Sequence, residues 1–129
     1  MAAQDEGVAL TILVVEDELG IRELVRDVLQ MAGYEVLIAP NSEEALREAQ
    51  SYGKPIQLVI TDLIMPGVDG LELSRRLKAR QPDIKVILMS GYGEDRIDEV
   101  GGLQAGMAVL EKPFTTPILL SKVRVILEE

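Results

Sequence analysis

Glu16 and Asp17 follow the run TILVV, Asp62 follows QLVIT, Ser90 follows KVILM, and Lys112 stands just beyond MAVL. A carboxylate at the end of an apolar run needs a partner, because a buried charge is costly unless something pairs with it. Carboxylates held close together also resist ionising together, a conflict that a divalent cation removes. Hard oxygen ligands suit Mg2+, which keeps part of its water shell and shares its other positions with phosphate. A carboxylate can also attack phosphorus and become an aspartyl phosphate. A lysine would then offset the charge on the phosphoryl oxygens, and a hydroxyl would donate a hydrogen bond to them. Asp17, Asp62, Ser90 and Lys112 supply all these parts.

The elements that must position them are legible as alternating periods. Thr11–Val15, Tyr34–Ala39, Gln57–Thr61, Lys85–Met89 and Met107–Leu110 read as short buried strands. Between them lie helical patterns. Ile21, Leu24, Val25 and Val28 have amphipathic spacing, and Gly33 closes that helix. Asn41-Ser42-Glu43-Glu44 opens a second helix, with Glu44 placed to reach back, and it ends near Tyr52-Gly53. Asp69 is an N-cap for a third helix that turns Leu71, Leu73 and Leu77 inward and stops before Pro82. Glu94–Val100 predicts a short, mobile fourth helix. Thr116 and Pro117 fit N-cap and first position of a last helix carried by Leu120, Val123 and Leu127. Strands separated by helices imply a parallel sheet covered on both faces. The fold class is therefore α/β, a doubly wound, flavodoxin-like (βα)5 fold with strand order 2-1-3-4-5. In that order the reversal falls between the first and third strands, and ligands bind at the carboxyl edge there. Those strands carry the acids.

Composition narrows the classes. Thirteen basic residues against twenty-two acidic ones give a net charge of -9, which argues against a nucleic-acid surface and favours partners that are basic or bring a cation. With no cysteine and no histidine, the chain has no disulfide, thiol or imidazole chemistry. No apolar run approaches the roughly 20 residues of a membrane helix, and MAAQDEG lacks the pattern of a signal peptide. These features predict a soluble cytoplasmic domain over residues 11–129 behind a flexible leader, residues 1–10. No further functional segment is expected after the last helix.

Four stretches, ILVVEDE (12–18), LVITDLIMPGVDG (58–70), VILMSGYG (86–93) and LEKPF (110–114), resemble the receiver domain of two-component response regulators. The resemblance runs from about Thr11 to Leu127, with each motif at its expected strand end. It implies a signalling phosphoacceptor rather than a conventional enzyme, one that catalyses its own phosphorylation and dephosphorylation. Asp62 would take a phosphoryl group from a phosphohistidine on a sensor histidine kinase or a phosphotransfer protein. Asp17 would ligate Mg2+ directly, with Asp62 as a further ligand, Glu16 helping through water and the backbone carbonyl of Ile64 completing the protein's share. Ser90 would bond the phosphoryl oxygen, and Lys112 would pair first with the carboxylate and then with the phosphate. The resemblance also implies a cis bond before Pro113.

Two departures stand out. Val109 occupies the position of the usual switch aromatic, so the switch is expected to rest on the 90–95 loop and the short fourth helix. Ile64 and Tyr92 are bulky residues at the pocket mouth, expected to hinder the attacking water and slow loss of phosphate. The first helix, around Leu19 to Val25, is the expected donor docking face. The fourth helix, fifth strand and last helix form the expected output or dimer face. MSGYG with LEKPF is most similar to the receivers of hybrid kinases.

Each residue alone has a plain structural explanation: Asp62 a turn former, Glu16-Asp17 acids before a helix, Lys112 a solvated lysine, Ser90 a loop residue. Their joint placement at one edge is what the plain account does not explain. Methionines 31, 65, 89 and 107 read as core or loop filler. Rival functions are a receiver-like interaction module that is never phosphorylated, a Mg2+-dependent phosphohydrolase and a flavin protein. The first predicts a damaged acid site. The second would place its Asp after the first strand with an acid two residues on, where this chain has Ile64. The third would want aromatic stacking, and there is no tryptophan.

Overall fold

Five parallel strands form one sheet in the order β2-β1-β3-β4-β5. They are β1 (Thr11–Val15), β2 (Glu35–Ala39), β3 (Leu58–Asp62), β4 (Lys85–Ser90) and β5 (Met107–Glu111). The helices are α1 (Leu19–Met31), α2 (Ser42–Tyr52), α3 (Gly70–Arg80) and α4 (Thr116–Leu127). The computed structural model describes residues 9–91 and 105–129. The expected leader up to residue 8, the 92–95 part of the switch loop, Tyr92 and the short helix over 94–100 lie outside the described residues.

Alternation along the strands builds two cores. Leu13, Val15, Val59, Val86 and Leu88 face α2 and α3, where Ala45, Leu71, Leu73 and Leu77 meet them. Ile12, Val14, Leu58, Ile60, Ile87 and Met89 face α1 and α4, where Val25, Leu29, Leu119, Val123 and Ile126 meet them. The central strands are buried on both faces, which is why they read as unbroken apolar runs. In-register pairing sets Val15 beside Thr61 and Asp62 beside Met89, so the strand ends line up along one edge.

Several boundaries and faces differ from the sequence reading. Asp62, Ser90 and Glu111 are the last residues of their strands rather than the first residues beyond them. In α1 the inward stripe is Ile21, Val25, Val28 and Leu29, whereas Leu24 is about half exposed, at 54%. In α4 the buried stripe is Leu119, Val123 and Ile126, with Leu120 and Leu127 only partly covered. The segment ILLSKVRVIL is apolar on more than one side, so spacing alone does not select the face. The α4 cap is Thr115, whose hydroxyl accepts from Ile118 N at 3.3 Å. Thr116 is therefore the first helical residue and Pro117 the second. Pro fits there too, since the first-turn N–H groups have no partner within the helix. Asn41 and Asp69 cap α2 and α3 as expected, accepting from Glu44 N at 2.8 Å and Glu72 N at 2.9 Å. Glu44 pairs forward with Arg47. Met65 and Met89 are buried, while Met31 is exposed.

Candidate functional site

The acids meet where β1 and β3 end side by side. Glu16 continues β1 by one residue, its N–H donating to Ala39 O at 3.1 Å. Asp62 is held by the ladder at the end of β3, and the following Leu63 N donates to Met89 O at 2.9 Å. One carboxylate oxygen from each of Glu16, Asp17 and Asp62 lies within 4.8 Å of the other two. Glu16 and Asp62 are buried, and Asp17 is exposed. Three carboxylates supply an oxygen-only donor set of the kind Mg2+ prefers, with solvent access on the Asp17 side. The residues present thus fit that ion.

Lys112 holds the cluster together. Its Nζ lies 2.7 Å from Asp62 Oδ1 and 2.8 Å from Glu16 Oε1. The lysine reaches the acids because β5 ends beside β4, with Lys112 N donating to Ser90 O at 2.9 Å. The Lys112–Pro113 peptide bond is cis. The second Glu16 oxygen accepts from Glu18 N at 3.1 Å. Asp62, Ile64, Ser90, Lys112 and the two β1 acids line one cleft of about 180 Å3. The sequence-predicted site residues are thereby brought together, with the Ser90 side chain buried at the cleft.

The electrostatics follow from crowding. Burial pushes Asp62 up from the usual carboxylate range to about 7. The Glu16 carboxylate beside it adds to the rise, and the Lys112 ammonium opposes it. Lys112 is itself raised: burial works against its charge, but its contacts with Asp62 and Glu16 outweigh that.

Three residues contribute to the site that sequence reasoning missed. The first Cβ carbon of any side chain at Gly70 would sit 2.2 Å from Asp62 O, so only glycine lets α3 start against the end of β3. Gly70 N also donates to Leu63 O at 2.8 Å, closing the loop between them. Ser42, buried at the start of α2, donates to Val68 O at 2.7 Å and ties that loop from the other side. Arg22 on α1 donates from its guanidinium to Glu16 O at 2.8 Å. Ser42 and Gly70 fall in the sequence within a helix-opening stretch and the LVITDLIMPGVDG stretch, but nothing there marks their contacts with Val68 O and Asp62 O, and Arg22 carries no signal at all.

A parallel sheet with acids and a lysine gathered at its switch point is the arrangement of an α/β domain that binds its ligand there. Residues 12–124 match the response regulator receiver domain family, and the chain belongs to it. It is a receiver domain of the kind found in two-component systems. The sensor kinase CckA of Brucella abortus is 37% identical over 127 residues, 98% of this chain but 13% of the kinase. The phosphate regulon regulatory protein PhoB of Pseudomonas aeruginosa is 37% identical over 123 residues, 93% of this chain and 52% of that protein. The sporulation initiation phosphotransferase F of Bacillus subtilis is 39% identical over 104 residues, covering 80% of this chain and 82% of its own. Among solved structures, the receiver domain of the hybrid histidine kinase CckA superposes with a TM-score of 0.78 at 35% identity, over 91% of this chain and 98% of that one. The Thermotoga maritima response regulator TrrA, solved with Mg2+–BeF, gives 0.75 at 35% identity over the same shares. The hybrid-kinase likeness read from MSGYG and LEKPF agrees with the CckA matches. Among the described residues no helix is long and apolar enough to cross a membrane.

Proposed function

We propose that Asp62 is the phosphoacceptor of this receiver domain. A carboxylate oxygen of Asp62 attacks the phosphorus of a phosphohistidine on a sensor kinase or a phosphotransfer protein. The P–O bond forms as the P–N bond breaks, and the electron pair leaves with the imidazole. The observation that carries this reading is the Lys112 ammonium lying 2.7 Å from Asp62 and 2.8 Å from Glu16 at the sheet edge. That ammonium keeps the nucleophile's charge tolerable before transfer and faces the new phosphoryl oxygens afterwards. Glu16, Asp17, Asp62 and the Ile64 carbonyl would hold Mg2+, which when bound supplies charge neutralisation for the transferred group. Ser90 donates a hydrogen bond to the phosphoryl group and relays its presence to the segment that follows β4. With Val109 partly buried against the core under α2 and α3 in place of an aromatic, this relay runs without a swinging ring.

Donor docking falls to α1. Leu19 and Leu24 are 55% and 54% exposed there, apolar side chains open to a partner. The surface of β5, α4 and the segment over 94–100 serves output or dimer contact, and the domain works in the cytoplasm.

The test is an intact mass after incubation with Mg2+ and acetyl phosphate. One phosphoryl adduct is expected, absent from Asp62→Asn and from a chelated sample. An adduct that persists in Asp62→Asn would displace the acceptor. If the wild type neither takes a phosphoryl group nor binds Mg2+, the domain is an unphosphorylated interaction module instead.

A further inference from the structure

We infer that Arg22 is a positioning residue for the metal site. It fixes the backbone of the Glu16–Glu18 loop so that the carboxylates of Glu16 and Asp17 converge with Asp62. The inference rests on the reading that these acids bind Mg2+. At the start of the loop, Glu16 N is held by Ala39 O in the sheet. At its end, Glu18 O accepts from Arg22 N at 3.0 Å as the first turn of α1 forms. Between those anchors the peptide joining Glu16 to Asp17 carries the carbonyl that Arg22 engages from its side chain, at 2.8 Å. The same residue therefore grips the loop twice, through its backbone N–H and through its guanidinium.

The chemistry of the contact favours a positioning role over a structural accident. Rotation about the bonds flanking that peptide would swing Asp17, which is exposed and has no burial to hold it in place. A planar guanidinium loses little freedom on forming such a bond, and a charged donor makes the bond stronger than a neutral one would be. Partners of this kind, which orient ligands without touching the ion, typically govern metal affinity by about 10–100-fold.

The sign of the effect separates this role from simple electrostatics. Arg22 is a cation near a cation site, so removing its charge alone would tighten Mg2+ binding. Positioning demands the reverse. The experiment is calorimetric titration of Mg2+ into the whole domain, comparing wild type with Arg22→Met, which keeps the aliphatic stem. Arg26→Ala, one turn further along α1, serves as the charge-only baseline; Arg26 pairs with Asp27 at the surface. About tenfold weaker binding is expected for Arg22→Met, with Arg26→Ala at or slightly below the wild-type dissociation constant. Thermal melting in chelator checks that the variant is folded, and Arg22→Ala repeats the titration on a second background. Equal or tighter binding by both Arg22 variants overturns the inference, as does an equal loss in Arg26→Ala. A wild type that binds no Mg2+ overturns the metal reading itself, and the inference with it.

Discussion

In the proposed role Asp62 must act as a nucleophile, yet its surroundings favour the proton. Its carboxyl is raised from 3.8 to about 7 by burial and by Glu16, with Lys112 pulling the other way. Between about pH 4 and 7 the folded protein keeps a proton that the unfolded chain has already released. The stability of the metal-free domain therefore falls as pH rises through that window and levels off above it. Denaturant titrations at pH 5 and pH 7.5 in chelator are expected to show this fall in the wild type and to show it reduced in Asp62→Asn. Reactivity runs the opposite way. At limiting Mg2+ the rate of adduct formation is expected to rise with pH through about 7, and raising Mg2+ is expected to move that midpoint to lower pH, because the ion favours the ionised carboxyl. A stopped pH–rate series at two Mg2+ concentrations reads both. Beside Asp62, the Ile64 side chain is 57% exposed at the mouth of the cleft. Replacing it with Asn offers an incoming water a polar neighbour instead of an apolar screen. Ile64→Asn is expected to shorten the lifetime of the phosphorylated domain several-fold, read from decay of the adduct mass after the donor is removed. An unchanged decay would remove Ile64 from the account.

At the scale of elements, the junction of β3 with α3 is the least forgiving. Gly70→Ala would drive a methyl group against the Asp62 carbonyl, and the main chain of two elements would have to shift to admit it. Overpacking of this kind costs roughly 1–3 kcal/mol, measurable as a lower denaturant midpoint. The shift would also displace Asp62, so adduct formation should fall as well. This junction marks the boundary of what sequence could convey. The acids, Ser90 and Lys112 were legible because each stands at the end of an apolar run, and a parallel sheet sends all such ends to one edge. Gly70, Ser42 and Arg22 were not, because each acts on a backbone atom of another element. The carbonyls of Asp62, Val68 and Glu16 have no letter of their own. The helix caps at Asn41 and Asp69 were legible, being local chemistry within four residues. The buried face of α4 was not, because Leu119, Leu120, Ile126 and Leu127 offer two adjacent stripes and only packing into the core shared with α1 selects one.

For the whole molecule, the proposed Mg2+ binding would link folding to ion supply through one edge of one sheet. An ion that binds only the folded state stabilises it by an amount that grows logarithmically with concentration, about 1.4 kcal/mol for each tenfold rise above the dissociation constant. The thermal midpoint is expected to climb with Mg2+ in the wild type and to stay nearly flat in Asp17→Asn, followed by circular dichroism. The climb should be steeper at pH 8 than at pH 5, because protons compete for Asp62 at the lower value. The ammonium of Lys112, lying between two buried carboxylates, has one more consequence for the domain as a whole. It acts as a tethered counterion, always present at the same local concentration whatever the solution contains. Small metal-dependent domains whose ligands lack such a substitute come apart when the ion is withdrawn. Here the chain carries its own placeholder between the two carboxylates, so the domain is expected to stay folded in chelator, where the fixed cation stands in for the free one.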